Sequence, residues 1–195
     1  MRIVRADERY CTAADGIESS HCFSAGGHYD ADNVSYGALV GCDEHVVAPD
    51  TGFDWHGHRG VDIVSWVLAG ELRHEDSIGA RLVRPGDVLW QAAGPGIRHR
   101  ETNPSSSQPL RLVQMTLLSS SPSAGVTLAA PPLAVGASAF DVWRASASLS
   151  ASRWHVFVGR GTWRLGDLAL SEGDSVRGGG QLSAAGSGEL LVWLL

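Results

Sequence analysis

Charge of the kind that nucleic acid recruits is missing. The 15 Lys+Arg stand against 21 Asp+Glu, a formal net charge of -6, and the basic residues are scattered. Without a basic stripe there is no footprint for a phosphate backbone, so no direct nucleic-acid ligand is expected. Cysteine is scarce too. Cys11, Cys22 and Cys42 make an odd set of 3 without CxxC spacing, which argues against a disulfide framework or a thiolate zinc site and for a reducing compartment. The first residues, Met1-Arg-Ile-Val-Arg-Ala-Asp-Glu8, lack the apolar core of a secretory leader, and a cytoplasmic location is expected. An unbroken apolar run is absent as well. Leu112 to Phe140 carries no charge, yet Ser119 to Ser121, Pro122, Ser123, Gly125, Pro131 and Pro132 interrupt it. That stretch reads as strand followed by linker, and no membrane span is expected.

Helical periodicity is the remaining absence. Apolar residues almost nowhere recur at helical spacing for three turns, whereas short Val/Ile/Leu/Trp runs bounded by Gly, Pro, Asp or Asn recur throughout. The chain reads as all-β, with 24 glycines and 8 prolines as punctuation, and many short strands close best into antiparallel barrels or jelly rolls. A weak repeat points to two lobes. Trp66-Val-Leu-Ala-Gly70 followed by Pro85-Gly-Asp-Val-Leu89 is echoed by Val156-Phe-Val-Gly-Arg-Gly161 followed by Glu172-Gly-Asp-Ser-Val176. The expected division is a barrel over 1–118, a Ser/Pro/Ala/Gly-rich linker over 119–138 and a shortened, degenerate lobe over 139–195, the last open to strands exchanged from the linker or the N-terminus.

What is present in place of these is a spaced set of histidines. Phe53-Asp-Trp-His-Gly-His-Arg-Gly60 carries His56 and His58. On a strand they share one face about 6.6 Å apart, near enough for two imidazoles to reach one ion. Gly94-Pro-Gly-Ile-Arg-His-Arg-Glu-Thr-Asn103 repeats the device with His99 and Glu101. A single such pair is most simply a solvated or packed feature; two converging pairs give three neutral imidazoles and a carboxylate. That set suits Fe(II), Mn(II), Ni(II), Cu(II) or Zn(II) better than Ca²⁺ or Mg²⁺ and leaves coordination positions open. The other histidines, His21, His28, His45, His74 and His155, have no such spacing and read as structural or solvated, His74 as part of a charged strand end. Glu71 and Asp62 are candidates to accept from the ligand imidazoles, with simple exposure as the alternative. Phe53, Trp55, Trp66, Trp90 and Ile97 stand close to the ligands in sequence, as pocket walls or as ordinary core.

At these residues the sequence resembles the pirin family of the cupin superfamily. The likeness rests on Gly52-Phe53, His56-x-His58-Arg59-Gly60, Val67-Leu68-x-Gly70-Glu71-Leu72, His74, Asp76-Ser77 and Gly79. It continues through Pro85-Gly-Asp87-Val88, Trp90, Ala93-Gly94, Gly96-Ile97 and His99-x-Glu101. Upstream, His21-Cys-Phe-Ser24, Tyr29-Asp30, Asn33 and Tyr36-Gly37 also match; Gly57 replaces a frequent proline, and beyond about residue 110 the likeness thins. The resemblance implies a bicupin with one divalent transition metal on His56, His58, His99 and Glu101, Fe(II) being the first expectation and Mn, Ni, Cu or Zn the alternatives. It implies either a quercetin 2,3-dioxygenase-like enzyme or a non-enzymatic, regulatory or redox-sensing metal protein. In the enzymatic case the substrate is a small flavonol or enol-type aromatic, and Glu101 is the catalytic proton acceptor. A sugar-binding or isomerase cupin is a further alternative that would not require this ligand set. The assembly is expected to be a monomer or homodimer, its second lobe without metal.

Overall fold

Two Gly-Asp turns set the tempo of the chain, and they are built alike. Gly86 and Gly173 take φ values of 103° and 84°, conformations open to a residue without Cβ. Each following aspartate then caps its own turn: Asp87 accepts from the Arg84 N–H at 3.1 Å and Asp174 from the Ser171 N–H at 3.0 Å. The repeat seen in the sequence is therefore a repeat of turn chemistry.

The computed structural model describes residues 1–195. Its strands, in chain order, are β1 (Arg2–Val4), β2 (Tyr10–Ala14), β3 (Ile17–His21), β4 (Leu39–Val47), β5 (Gly52–His58), β6 (Val61–Ala69), β7 (Leu72–Asp76), β8 (Ala80–Val83) and β9 (Val88–Ala92). They continue with β10 (Ile97–Thr102), β11 (Leu110–Leu118), β12 (Gly125–Ala129), β13 (Leu133–Val135), β14 (Ser138–Trp143), β15 (Ala147–Leu165), β16 (Leu168–Leu170) and β17 (Ser175–Leu194). The helical elements are two short 3-10 turns, Ala6–Glu8 and Ala31–Asn33. The fold is all-β as expected, and no helix is long and apolar enough to cross a membrane.

The chain forms two units, one from Tyr10–Ser35 and Leu39–Ala130, the other from Met1–Arg9, Tyr36–Ala38 and Pro131–Leu195. The stretch 119–138 is itself structured: β12 pairs with β9 in the larger unit and β13 with β14 in the smaller.

The larger unit has a seven-stranded sheet in the order β12-β9-β6-β11-β4-β3-β2 and a four-stranded sheet in the order β5-β10-β7-β8. β6 is central and buried on both faces, which is why Val-Asp-Ile-Val-Ser-Trp-Val-Leu-Ala reads as a nearly continuous apolar run. Val67 and Leu89 from the first sheet pack with Leu72 and Val83 from the second, a core closed off by Ile17, Val47, Leu110 and Leu112. This apolar end leaves the other end of the space between the sheets to polar side chains. In the smaller unit β1 lies on β17, with Ile3 opposite Val176. Trp154, Val156, Trp163, Leu190 and Val192 form its core. Asp174 accepts from Arg5 Nη1 at 2.7 Å and from the Ala6 N–H at 2.9 Å, which ties the first residues into this unit.

Candidate metal centre

Strand register sets the site before any rotamer does. β10 lies beside β5 with His99 opposite His56 and Ile97 opposite His58, and beside β7 with His99 opposite Asp76 and Glu101 opposite His74. Directly paired residues share a face, so His56, His58, His74, His99 and Glu101 all point the same way, toward the seven-stranded sheet. The β5–β10 pairing shifts between His99 and Glu101, because Phe53 rather than Asp54 stands opposite Glu101. Asp54 and Trp55 thus form a bulge. Within it Asp54 Oδ1 accepts from the Trp55 N–H at 2.7 Å, and His56 Nδ1 donates to the Asp54 carbonyl at 2.7 Å. That bond holds the His56 proton on Nδ1 and keeps the Nε2 lone pair for a ligand. Just before the bulge the strands approach so closely that a Cβ at Gly52 would overlap the Glu101 carbonyl oxygen and Thr102 Cα.

The three imidazoles converge. Ring centroids are 4.3 Å apart for His56–His99, 4.9 Å for His56–His58 and 5.1 Å for His58–His99, and one nitrogen of each lies within 4.8 Å of the others. Burial, and then the facing rings of His56, His74 and His58, push the His99 imidazole down to about 3. Burial and the neighbouring His56 lower His58 as well. Neutral rings are the form in which imidazole binds metal. Glu101 enters through His99: its carboxyl, His99 and His74 form a second group within 4.8 Å. Gln114 Nε2 donates to Glu101 Oε2 at 2.8 Å. Burial raises the Glu101 carboxyl to about 7, against the opposing effect of that Gln114 bond.

His74 is not the solvated strand end that its charged sequence context suggests. It is 0% exposed, with Nε2 2.9 Å from Gln91 Oε1 and 3.0 Å from His99 Nδ1. The signal for this was the alternation in β7, where Leu72, His74 and Asp76 turn inward between Arg73 and Glu75. Glu71 instead faces Arg84 at 2.6 Å on the surface. Asp62 is buried with Oδ1 lacking a hydrogen-bond partner. Among the expected apolar walls, Phe53 lines a cleft of about 550 Å³ that reaches His56. Trp66 is core, and Trp55 lies outside, 38% exposed, with Arg98 and Arg100 over its ring. His155 is buried in the smaller unit.

The residues pass a physical test for a divalent transition ion. His99 Nε2 is buried without a hydrogen-bond partner, a cost of about 1–3 kcal/mol for an ordinary polar group, and its ring faces those of His56 and His58. A mixed imidazole–carboxylate set is what such ions take.

An all-β chain of two units, one with inward-facing imidazoles between its sheets, has the architecture of a cupin with two lobes. The description "Pirin" applies to the family model that matches residues 4–117, and the chain belongs to the Pirin family. It is 33% identical over 229 residues to Rv0181c of Mycobacterium tuberculosis, a match covering 99% of this chain and 94% of that protein. It is 35% identical over 115 residues to "Quercetin 2,3-dioxygenase" of Escherichia coli, covering 58% of this chain and 50% of the relative. The crystal structure of the bacterial pirin YhhW of Escherichia coli in complex with nickel(II) superposes with a TM-score of 0.88 at 22% identity, covering 98% of this chain and 97% of that one. That last likeness is one of fold.

Proposed function

We propose that this chain is a metal-dependent dioxygenase of flavonol or enol-type aromatic compounds, with His56, His58, His99 and Glu101 holding one divalent transition ion, Fe(II) in the first instance. The observation that carries the reading is the buried, partnerless Nε2 of His99 among facing imidazoles, with a buried carboxyl two residues on. The name of the Escherichia coli relative supports the reaction class, and the nickel(II) bound by YhhW supports a divalent ion. That Cys11, Cys22 and Cys42 form no disulfide supports a reducing, cytoplasmic setting.

Bound there, the ion would supply Lewis acidity to an enolic oxygen and a meeting point for that substrate and O₂. The protein's own part is positional and protonic. The Asp54 carbonyl fixes the His56 tautomer, His74 borders His99, and the cleft beside Phe53 and His56 admits a flat molecule. Glu101, with its carboxyl raised to about 7, is matched to accept a hydroxyl proton near neutral pH, and Gln114 holds its other oxygen in place. Anaerobic reconstitution with Fe(II), Mn(II), Ni(II), Cu(II) or Zn(II), followed by O₂ uptake with quercetin, tests the proposal. Metal-dependent uptake is expected, and His99→Ala and Glu101→Ala should each lower bound metal by elemental analysis. No uptake with any ion would make the chain a binding or sensing metalloprotein. Unchanged stoichiometry in both variants would refute the ligand set.

A further inference from the structure

The cleft that reaches His56 carries polar groups for which the reaction above has no use. Phe53, Asp54 and His56 line one side of it, and Thr12, Ala14, Ile17 and Ser19 another. Thr12 and Ser19 are directly paired across β2 and β3 and so share a face. Each hydroxyl is backed by an imidazole. Thr12 Oγ1 lies 3.0 Å from His21 Nε2, and His21 Nδ1 lies 2.9 Å from Asp43 Oδ1. Ser19 Oγ lies 2.7 Å from His45 Nδ1, and both residues are buried. The Asp43 carboxylate holds the His21 proton on Nδ1. Nε2 is then an acceptor, the Thr12 hydroxyl donates to it, and the lone pairs of Thr12 Oγ1 are left for a ligand.

Cross-strand bonding alone does not account for the arrangement. The β2–β3 register is already fixed by backbone pairing from Tyr10↔His21 to Ala14↔Ile17, and Thr12 is exposed, so water would satisfy its hydroxyl at little cost. What the network adds is orientation. Two aimed hydroxyls on a wall of Ala14, Ile17 and Phe53 make an apolar pocket with a few placed polar groups, the usual make-up of a small-molecule site.

We propose that Thr12 and Ser19 form a hydroxyl-recognition wall in the cleft that leads to His56. It selects aromatic ligands bearing a free phenolic hydroxyl remote from the oxygens that meet the metal. His21, Asp43 and His45 are positioning residues behind it. The inference rests on the function proposed above and names the part of the substrate that this chain reads.

Anaerobic titration of the Ni(II)-loaded chain with two probes tests it. 3-Hydroxyflavone has only the adjacent hydroxyl and oxo groups; quercetin adds phenolic hydroxyls on both outer rings. Wild type should prefer quercetin roughly tenfold, the equivalent of one or two net hydrogen bonds. Thr12→Val and Ser19→Ala should each lower that ratio, and together bring it near one, with the affinity for 3-hydroxyflavone held within about twofold. Thr12→Ser should restore the preference. Asp43→Asn, which removes the carboxylate behind His21, should lower the ratio without a matching loss of Tm. Binding of both probes with a ratio unchanged in the double variant overturns the wall alone. Absence of binding by either probe overturns the dioxygenase reading and the wall with it.

Discussion

His99 depends on a neighbour that its own strand does not supply. Its Nδ1 lies 3.0 Å from His74 Nε2, so the two rings orient one another. Arg81 Nη1, which can only donate, stands 3.4 Å from His74 Nδ1, which leaves the His74 proton on Nε2 to be donated to Gln91 Oε1 at 2.9 Å. Partners of this kind set ligand basicity and orientation, and their loss costs about 10–100-fold in metal affinity. His74→Leu should therefore weaken metal binding by that range in a chelator competition while leaving the stoichiometry unchanged. The shared faces of His56 with His58 and of His99 with Glu101 were legible because a strand repeats every two residues, so His-x-His and His-x-Glu announce them. The burial of His74 was legible only in the alternation of β7, with Arg73 and Glu75 on the opposite face, and its partners were not, because they lie on other strands. The contacts of His21 and His45 were hidden for the same reason, since Thr12, Ser19 and Asp43 join them only after β2, β3 and β4 pair.

At the scale of elements, β5 is the strand that must fit most tightly. Its bulge at Asp54–Trp55 turns His56 onto the site, and the close approach at Gly52 holds it against the β10 backbone that carries Glu101. A side chain at Gly52 has backbone on the far side, which cannot yield as a flexible side chain would. Gly52→Ala should cost roughly 1–3 kcal/mol in denaturant unfolding, the usual range for overpacking, and should lower metal occupancy as Glu101 shifts. Equal occupancy at reduced stability would show that β10 holds its ligands without β5. Alternation could not foresee the bulge, because inserting one residue changes register without changing composition. Composition also hid β12 and β13: a stretch rich in serine, alanine and proline looks like linker until each short strand finds an existing edge, β9 or β14.

Across the whole molecule, neutral histidines buried in both units tie stability to pH. Burial lowers His45 to about 4 and His155 to about 3 from an ordinary value of 6.5. As the pH falls below about 6.5 the unfolded chain takes up protons that the folded chain refuses, so stability is full above that pH and lost on the way down. Each ring removes about 1.4 kcal/mol per pH unit in that window. Glu101 runs the opposite way, because its folded carboxyl is raised to about 7 and protonation relieves a buried charge. The metal-free protein should lose Tm between pH 7 and 4.5, and His45→Gln or His155→Gln should flatten the slope. The two-lobed, all-β plan was legible from turn punctuation and the paired Gly-Asp turns. The interleaving was not, since nothing in Arg2-Ile-Val4 marks it for the far end of the chain, where Arg2, Ile3 and Val4 face Arg177, Val176 and Ser175. On a ribosome this order has a cost in time. β1 must wait, unpaired and open to wrong partners, until β17 has emerged, so the smaller unit closes well after the histidine-bearing sheets are able to.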